Sequence, residues 1–179
     1  MTAMNFNASL REVLKSEGGN DDDPADHGGR TSRGITQREY DAWRREKGLA
    51  VQDVFHASED EISAIYHDEY WDPWCDRIPI GTDYVFFDMC VNAGPHRAII
   101  LGQRALGVAA DGRVGAITRE AFKEALADPV KLLNAYTAEK QAFYIGLHQP
   151  RFTKGWLNRN KQVHDVAMKM IEGVQNGNA

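Results

Sequence analysis

Ser16-Glu17-Gly18-Gly19-Asn20-Asp21-Asp22-Asp23-Pro24-Ala25-Asp26-His27-Gly28-Gly29-Arg30-Thr31-Ser32-Arg33-Gly34-Ile35-Thr36 divides a helical pattern from the rest of the chain. Upstream, Phe6, Leu10, Val13 and Leu14 recur at helical spacing, and Gly18-Gly19 is expected to stop that helix. Within the stretch, glycine and hydroxyl residues cluster over 26–36 and predict a small β-hairpin, the one strand signal in the chain. Glu17 closes the helix, and an acidic loop leads from it to Asp26. Two carboxylates returned to one cleft by a short loop are the minimum equipment for acid-assisted cleavage of a sugar linkage.

Each residue of the stretch also has a plainer reading. A carboxylate at the C-terminal end of a helix meets the negative end of the helix dipole, which favours the protonated form that a general acid needs. Glu17 is equally an ordinary surface residue before a glycine cap. Asp26 either activates water and supports positive charge on the sugar, or caps the Gly28-Gly29 bend. Ser32 either positions a water or fills a turn. Asp21, Asp22 and Asp23 do not make a calcium loop. Counted from Asp21, the positions that need glycine and glutamate hold Asp26 and Ser32, so no metal is expected.

Outward from this stretch the pattern stays helical. Residues 37–47 place Tyr40 and Trp43 on one face. Residues 59–70, with Ser58 as cap, carry the stripe Ile62, Ile65, Tyr66 and Tyr70. Pro73 and Pro79 make 71–80 a loop, and Tyr70, Trp71 and Trp74 offer either a stacking surface for sugar rings or core packing. A strongly apolar helix from Tyr84 to Val91 carries Asp88, with Asn92 one turn on. This polar pair either braces a neighbouring backbone or lines a cleft. Further helices are expected over 96–106, over 119–126 with Thr118 as cap, from Asp128-Pro129 to 147, and over 159–173. The fold class is mostly α with at most a small hairpin, and any boundary falls near Gly94-Pro95.

The composition is that of an ordinary globular protein, 42% hydrophobic and 26% charged in 179 residues. A net charge of -5 argues against a nucleic-acid partner held by bulk attraction to phosphates. Residues 1–26 are net acidic and residues 151–179 net basic. Cys75 and Cys90 sit among apolar neighbours and are expected as buried free thiols. No stretch has the roughly 18 apolar residues that span a bilayer, so no stable membrane insertion is expected. Residues 1–14 lack the pattern of a cleaved signal peptide, so synthesis in the cytoplasm is expected.

With these residues in view, the chain resembles a known family. Glu17-Gly18-Gly19, Asp23-Pro24, Asp26, Gly28-Gly29, Thr31 and Gly34-Ile35-Thr36 look like the signature of glycoside hydrolase family 108, the phage and prophage N-acetylmuramidases. Tyr70-Trp71, Asp88, Val91-Asn92 and Gly94 resemble its second motif block, and Asp111-Gly112, Gly115 and Thr118 resemble the turn of its peptidoglycan-binding half.

The resemblance implies a lysozyme-like fold, with a catalytic region over 1–93 and a peptidoglycan-binding region over 94–179 packed as one unit. It implies cleavage of the β-1,4 bond of the glycan strand with Glu17 as general acid and Asp26 as the second carboxylate. Ser32, Tyr70, Trp71, Asp88 and Asn92 are then the candidate substrate contacts. More distantly, Glu17, Asp26 and Ser32 resemble the Glu, Asp, Thr order of phage-type lysozymes, with serine for threonine. Asn20 departs from the aromatic residue that often follows Glu-Gly-Gly in the family. No cofactor is expected. Peptidoglycan in the cell wall or periplasm is the expected partner; a monomer is expected, and, since no signal peptide is read, so is a holin-dependent route outward. A non-catalytic peptidoglycan-binding module and a lytic transglycosylase are the alternatives.

Overall fold

The computed structural model describes residues 2–21, 30–72 and 74–177, with side chains from residue 5 onward. Among these residues there are eight α-helices and one three-stranded sheet, so the fold is mostly α. The chain forms two compact units, residues 1–72 and 73–179.

In the first unit, α1 (Thr2–Leu14) presents Phe6, Leu10 and Val13 to the core, as its periodicity predicts. It ends at Leu14, earlier than Gly18-Gly19. Three two-residue strands follow: β1 (Asn20–Asp21), β2 (Thr31–Ser32) and β3 (Ile35–Thr36), antiparallel in the order β1-β2-β3. Of the hairpin expected over 26–36, residues 26–29 lie outside the described residues; β2 and β3 pair as a hairpin, and β1 adds a strand from just after Glu-Gly-Gly. Helix α2 (Gln37–Glu46) starts at Thr36, whose hydroxyl accepts from the Glu39 amide while the Glu39 carboxylate accepts from the Thr36 amide. Tyr40 and Trp43 are buried on its inner face.

Helix α3 (Glu59–Tyr66) is capped by Ser58 in the same reciprocal way, with Glu61. The helix expected over 59–70 does not continue as α. Residues His67–Trp71 form a π-turn, with the Asp72 amide donating to the His67 carbonyl five residues back. The extra residue shifts the stripe. After Ile62 and Tyr66, the next inward position falls on Trp71, and Tyr70 is left half-buried.

The second unit is organised around α4 (Thr82–Ala93), which is buried from Thr82 to Cys90 on all sides, as a helix apolar all round must be. It packs against α5 (Pro95–Ala105), α7 (Pro129–Gly146) and α8 (Pro150–Gln175). Gly81 (φ +83°) opens α4 with its α-carbon against α8. A Cβ there would stand 2.7 Å from the Ala167 carbonyl oxygen.

Helix α6 (Ala116–Glu124) begins at Gly115, not at Thr118. Thr118 is buried inside it, and its hydroxyl accepts from the Gln103 amide at 3.1 Å. Asp128 caps α7 through the Lys131 amide with Pro129 at the first position, as expected. Helix α8 starts at Pro150, well before residue 159, because its first turns are held by aromatic stacking rather than an aliphatic stripe. Trp156 lies 5.6 Å from Tyr144 and 5.8 Å from Phe152. Cys75 and Cys90 are buried free thiols, and burial pushes both above the usual thiol range. No described helix is long and apolar enough to cross a membrane.

Candidate active site

The turn that carries Glu17 is fixed by the neighbouring hairpin. Ser16 donates to the Val13 carbonyl, closing α1, and Gly18 (φ +71°) reverses the chain. Glu17 therefore stands three residues beyond the last helical residue, placed by the turn rather than by the helix end. It is half-buried.

Between β2 and β3, Arg33 (φ +50°) and Gly34 (φ +82°) form a two-residue loop with both residues left-handed, the geometry of a type I′ hairpin turn. Arginine is costly in that conformation, and three hydrogen bonds hold it there. Its amide donates to the Gly19 carbonyl (3.1 Å), and its carbonyl accepts from the Tyr66 hydroxyl (2.8 Å). Its guanidinium donates to the Ala57 carbonyl (2.8 Å). The first of these ties the Glu-Gly-Gly turn to the hairpin.

The Glu17 carboxylate and the Tyr66 hydroxyl converge on Gly34. A Cβ at residue 34 would meet the Tyr66 hydroxyl at 2.6 Å and Glu17 Oε2 at 3.1 Å. Glycine is thus required at 34 twice over, by its positive φ and by the two polar groups packed against it. Arg33 and Tyr66 were not singled out as site residues in the sequence. Tyr66 was hidden in an apolar stripe, and the signal for Arg33 was its place in an Arg-Gly pair between two short β segments.

The candidate residues separate clearly. Asp26 lies outside the described residues, as do Asp22, Asp23 and Gly28-Gly29. Ser32 is 1% exposed, and its hydroxyl donates to Asn20 Oδ1 at 2.7 Å across the β1–β2 pair. Asn20 thus serves as the cross-strand partner of Ser32. Tyr70 lines a pocket of about 180 Å³ with Ile35, Trp43 and Glu69, its ring 5.7 Å from that of Tyr66.

Trp71 does not offer a face to a sugar: it is 1% exposed and packs edge-on against Phe6 at 5.4 Å. Asp88 does not face solvent either. It is 1% exposed, and accepts from Lys140 Nζ at 2.7 Å and from Arg159 at 2.8 Å. Burial alone would raise its carboxyl, but the two cations and their hydrogen bonds hold it below the usual carboxylate range. The apolar periodicity of α4 hid both partners, which come from α7 and α8. Asn92 is exposed, and its amide donates back to the Asp88 carbonyl at 2.7 Å. No cluster of His, Cys, Asp and Glu among the described residues has the geometry to hold a metal.

Comparison with known proteins fits this arrangement. The family model for glycosyl hydrolase 108 matches residues 10–94, and that for a predicted peptidoglycan domain matches residues 97–161. Among solved structures, SagA of Brucella abortus is 31% identical, with 92% of this chain and 94% of that one covered and a TM-score of 0.75.

The chain belongs to the glycosyl hydrolase 108 family.

It is a glycoside hydrolase of the muramidase type whose C-terminal half carries a peptidoglycan-binding domain. No curated protein sequence matches it significantly. The Glu17 turn and the β2–β3 hairpin both lie inside the hydrolase match, and the Asp111–Gly115 turn lies inside the peptidoglycan match.

Proposed function

We propose that Glu17 is the general acid of this peptidoglycan hydrolase. On this reading it protonates the oxygen that leaves when the β-1,4 bond after N-acetylmuramic acid breaks. Asp26 supports the positive charge that develops on the sugar, or activates the attacking water. The observation that carries the proposal is the placement of the Glu17 carboxylate. It is half-buried against the bare α-carbon of Gly34, on a turn whose Gly19 carbonyl is pinned by Arg33. A carboxylate so held is positioned before substrate arrives, and Gly18 and Gly19 have no side chains to obstruct a glycan strand beside it.

Residues 1–93 act as the catalytic region and 94–179 as the wall-binding region, a division supported by the two family matches. Of the remaining candidate contacts, Tyr70 is the one whose ring borders an open pocket in the first unit. Its neighbour Tyr66, with ring centroids 5.7 Å apart, shares the Gly34 contact with Glu17 and links Tyr70 to the Glu17 turn. Ser32 acts from below, by holding Asn20 and with it the strand that follows Glu-Gly-Gly. The finer reading is an endolysin-type enzyme, acting as a monomer on the cell wall and reaching it by a holin-like route. It is supported by the likeness of the Glu17–Thr36 motif to the phage and prophage members of the family.

The test is Glu17→Gln on purified peptidoglycan. Loss of turbidity clearing with an unchanged melting transition supports the assignment, and substantial residual clearing overturns it. Mass spectrometry of the wild-type fragments distinguishes hydrolysis, which gives reducing ends, from transglycosylation, which gives anhydro-sugar ends.

A further inference from the structure

The second unit contains a pocket whose lining includes none of the residues given a role in the hydrolytic reaction above. It has a volume of about 270 Å³ and lies between the Cys75–Arg77 turn, α4 and the start of α6. Phe86 and Phe122 form its floor, with ring centroids 6.4 Å apart and planes nearly perpendicular at 85°. The floor is preformed because residue 102 is glycine: a Cβ there would stand 3.2 Å from Phe122 and 3.5 Å from both Phe86 and Tyr136. Trp74 borders the pocket half-buried, while Arg77 and Arg119 are exposed at its rim.

The side of the rim formed by the 111–115 turn and α6 is held by hydrogen bonds. The Gln103 side-chain amide donates to Asp111 Oδ1 (2.8 Å), the Arg113 carbonyl (3.0 Å) and the Thr118 hydroxyl (3.1 Å). Its oxygen accepts from the Gly112 amide at 2.8 Å. This one buried side chain locks the 111–115 turn onto the first turn of α6, and Arg119 adds a 2.9 Å hydrogen bond to the Val114 carbonyl. Among the described residues, two guanidiniums and no carboxylate line the pocket, in a chain whose net charge is -5. An aromatic floor with two cations at its rim suits a ligand with an apolar body and at least one carboxylate.

We propose that this pocket binds the carboxylate-bearing peptide stem of peptidoglycan, with Arg77 and Arg119 on the carboxylate and Trp74 over the apolar part. The proposal rests on peptidoglycan being the substrate, but not on Glu17 being the acid. The peptide stem is the part of the polymer that carries both carboxylates and methyl-bearing residues. A glycan strand alone would use the aromatic ring and leave the two arginines without a partner.

The experiment uses the full chain and a soluble disaccharide-tetrapeptide, a fragment already cut and so insensitive to the catalytic step. Binding is read by titration calorimetry and by Trp fluorescence. Arg77→Gln and Arg119→Gln are each expected to weaken it about tenfold, the equivalent of one lost charge-assisted hydrogen bond. Amidation of the ligand's carboxyl groups should weaken wild-type binding by at least as much. Arg77→Lys is expected to restore part of the loss, which a merely structural effect would not allow. Unchanged affinity in both glutamine variants, or indifference to amidation, overturns the proposal. Loss of binding together with a lowered melting temperature in Arg119→Gln is resolved by Arg77→Gln, because Arg77 is exposed and makes no ion pair among the described residues.

Discussion

Glu17 in the first unit and Asp88 in the second are both carboxylates at positions that the sequence made candidates for chemistry, and the two units treat them oppositely. Glu17 is half-buried on an irregular turn, with a bare glycine α-carbon and a tyrosine hydroxyl beside it. Asp88 sits inside the most buried helix, with both oxygens accepting from Lys140 and Arg159. A carboxylate whose oxygens are both committed to cations in a dry core has no proton to give and no substrate within reach. Such a group holds helices together, and its removal exposes the cost of the partners it leaves behind. A half-buried carboxylate on an irregular turn, beside two glycines without side chains, fits the role proposed for Glu17.

That contrast is open to direct attack. Glu17→Gln should lower turnover on peptidoglycan by about two to four orders of magnitude, the usual worth of a general acid, with stability unchanged. A parallel fall in melting temperature would mean that Glu17 resembles Asp88 after all. Asp88→Ala should do the reverse and cost about 3–5 kcal/mol in chemical denaturation, because Lys140 is left buried without its anion.

The same pair gives a pH signature. The Asp88 carboxyl is held below its unfolded value of about 3.9. Its contribution is therefore fully present above about pH 4 and is lost as pH falls through the lower folded value. Thermal melts of Asp88→Asn should accordingly show a flatter acid limb than the wild type.

Smaller effects test how the Glu17 turn is held. Gly34→Ala places a methyl against the Tyr66 hydroxyl and Glu17 Oε2 at a positive φ, and should cost about 1–3 kcal/mol. It should also displace Glu17, so that activity falls by more than the stability loss accounts for. Ser32→Ala removes the hydroxyl donated to Asn20 and should cost about 1 kcal/mol, with activity reduced only modestly. A loss of activity as large as that of Glu17→Gln would show Ser32 to be in the chemistry rather than beneath it.

The legible parts of the sequence were those written in local rules. The capping residues Ser58 and Asp128, the Pro129 start of α7 and the all-round apolar α4 follow from chemistry within one turn of helix. The misread parts depended on distant partners or on one residue of register. The π-turn at His67–Trp71 cannot be seen in a stripe of spacing three and four, yet it decides that Trp71 is core and Tyr70 borders a pocket. Thr118 looked like a cap because its type suits one, but the Gln103 amide had already claimed its hydroxyl.

For the site itself, the sequence by itself determined the helix-turn-hairpin order, the Glu-Gly-Gly motif and the family. Glycines at turns and carboxylates beside them are local features that a pattern records. Only the tertiary structure decided that Asp88 is committed to ion pairs. It brought Lys140 and Arg159 to Asp88 from helices far along the chain, and it packed Glu17 and Tyr66 together over Gly34. The physical reason is that a carboxylate's role follows from the charges, donors and solvent around it, and those are set by long-range packing rather than by sequence neighbours.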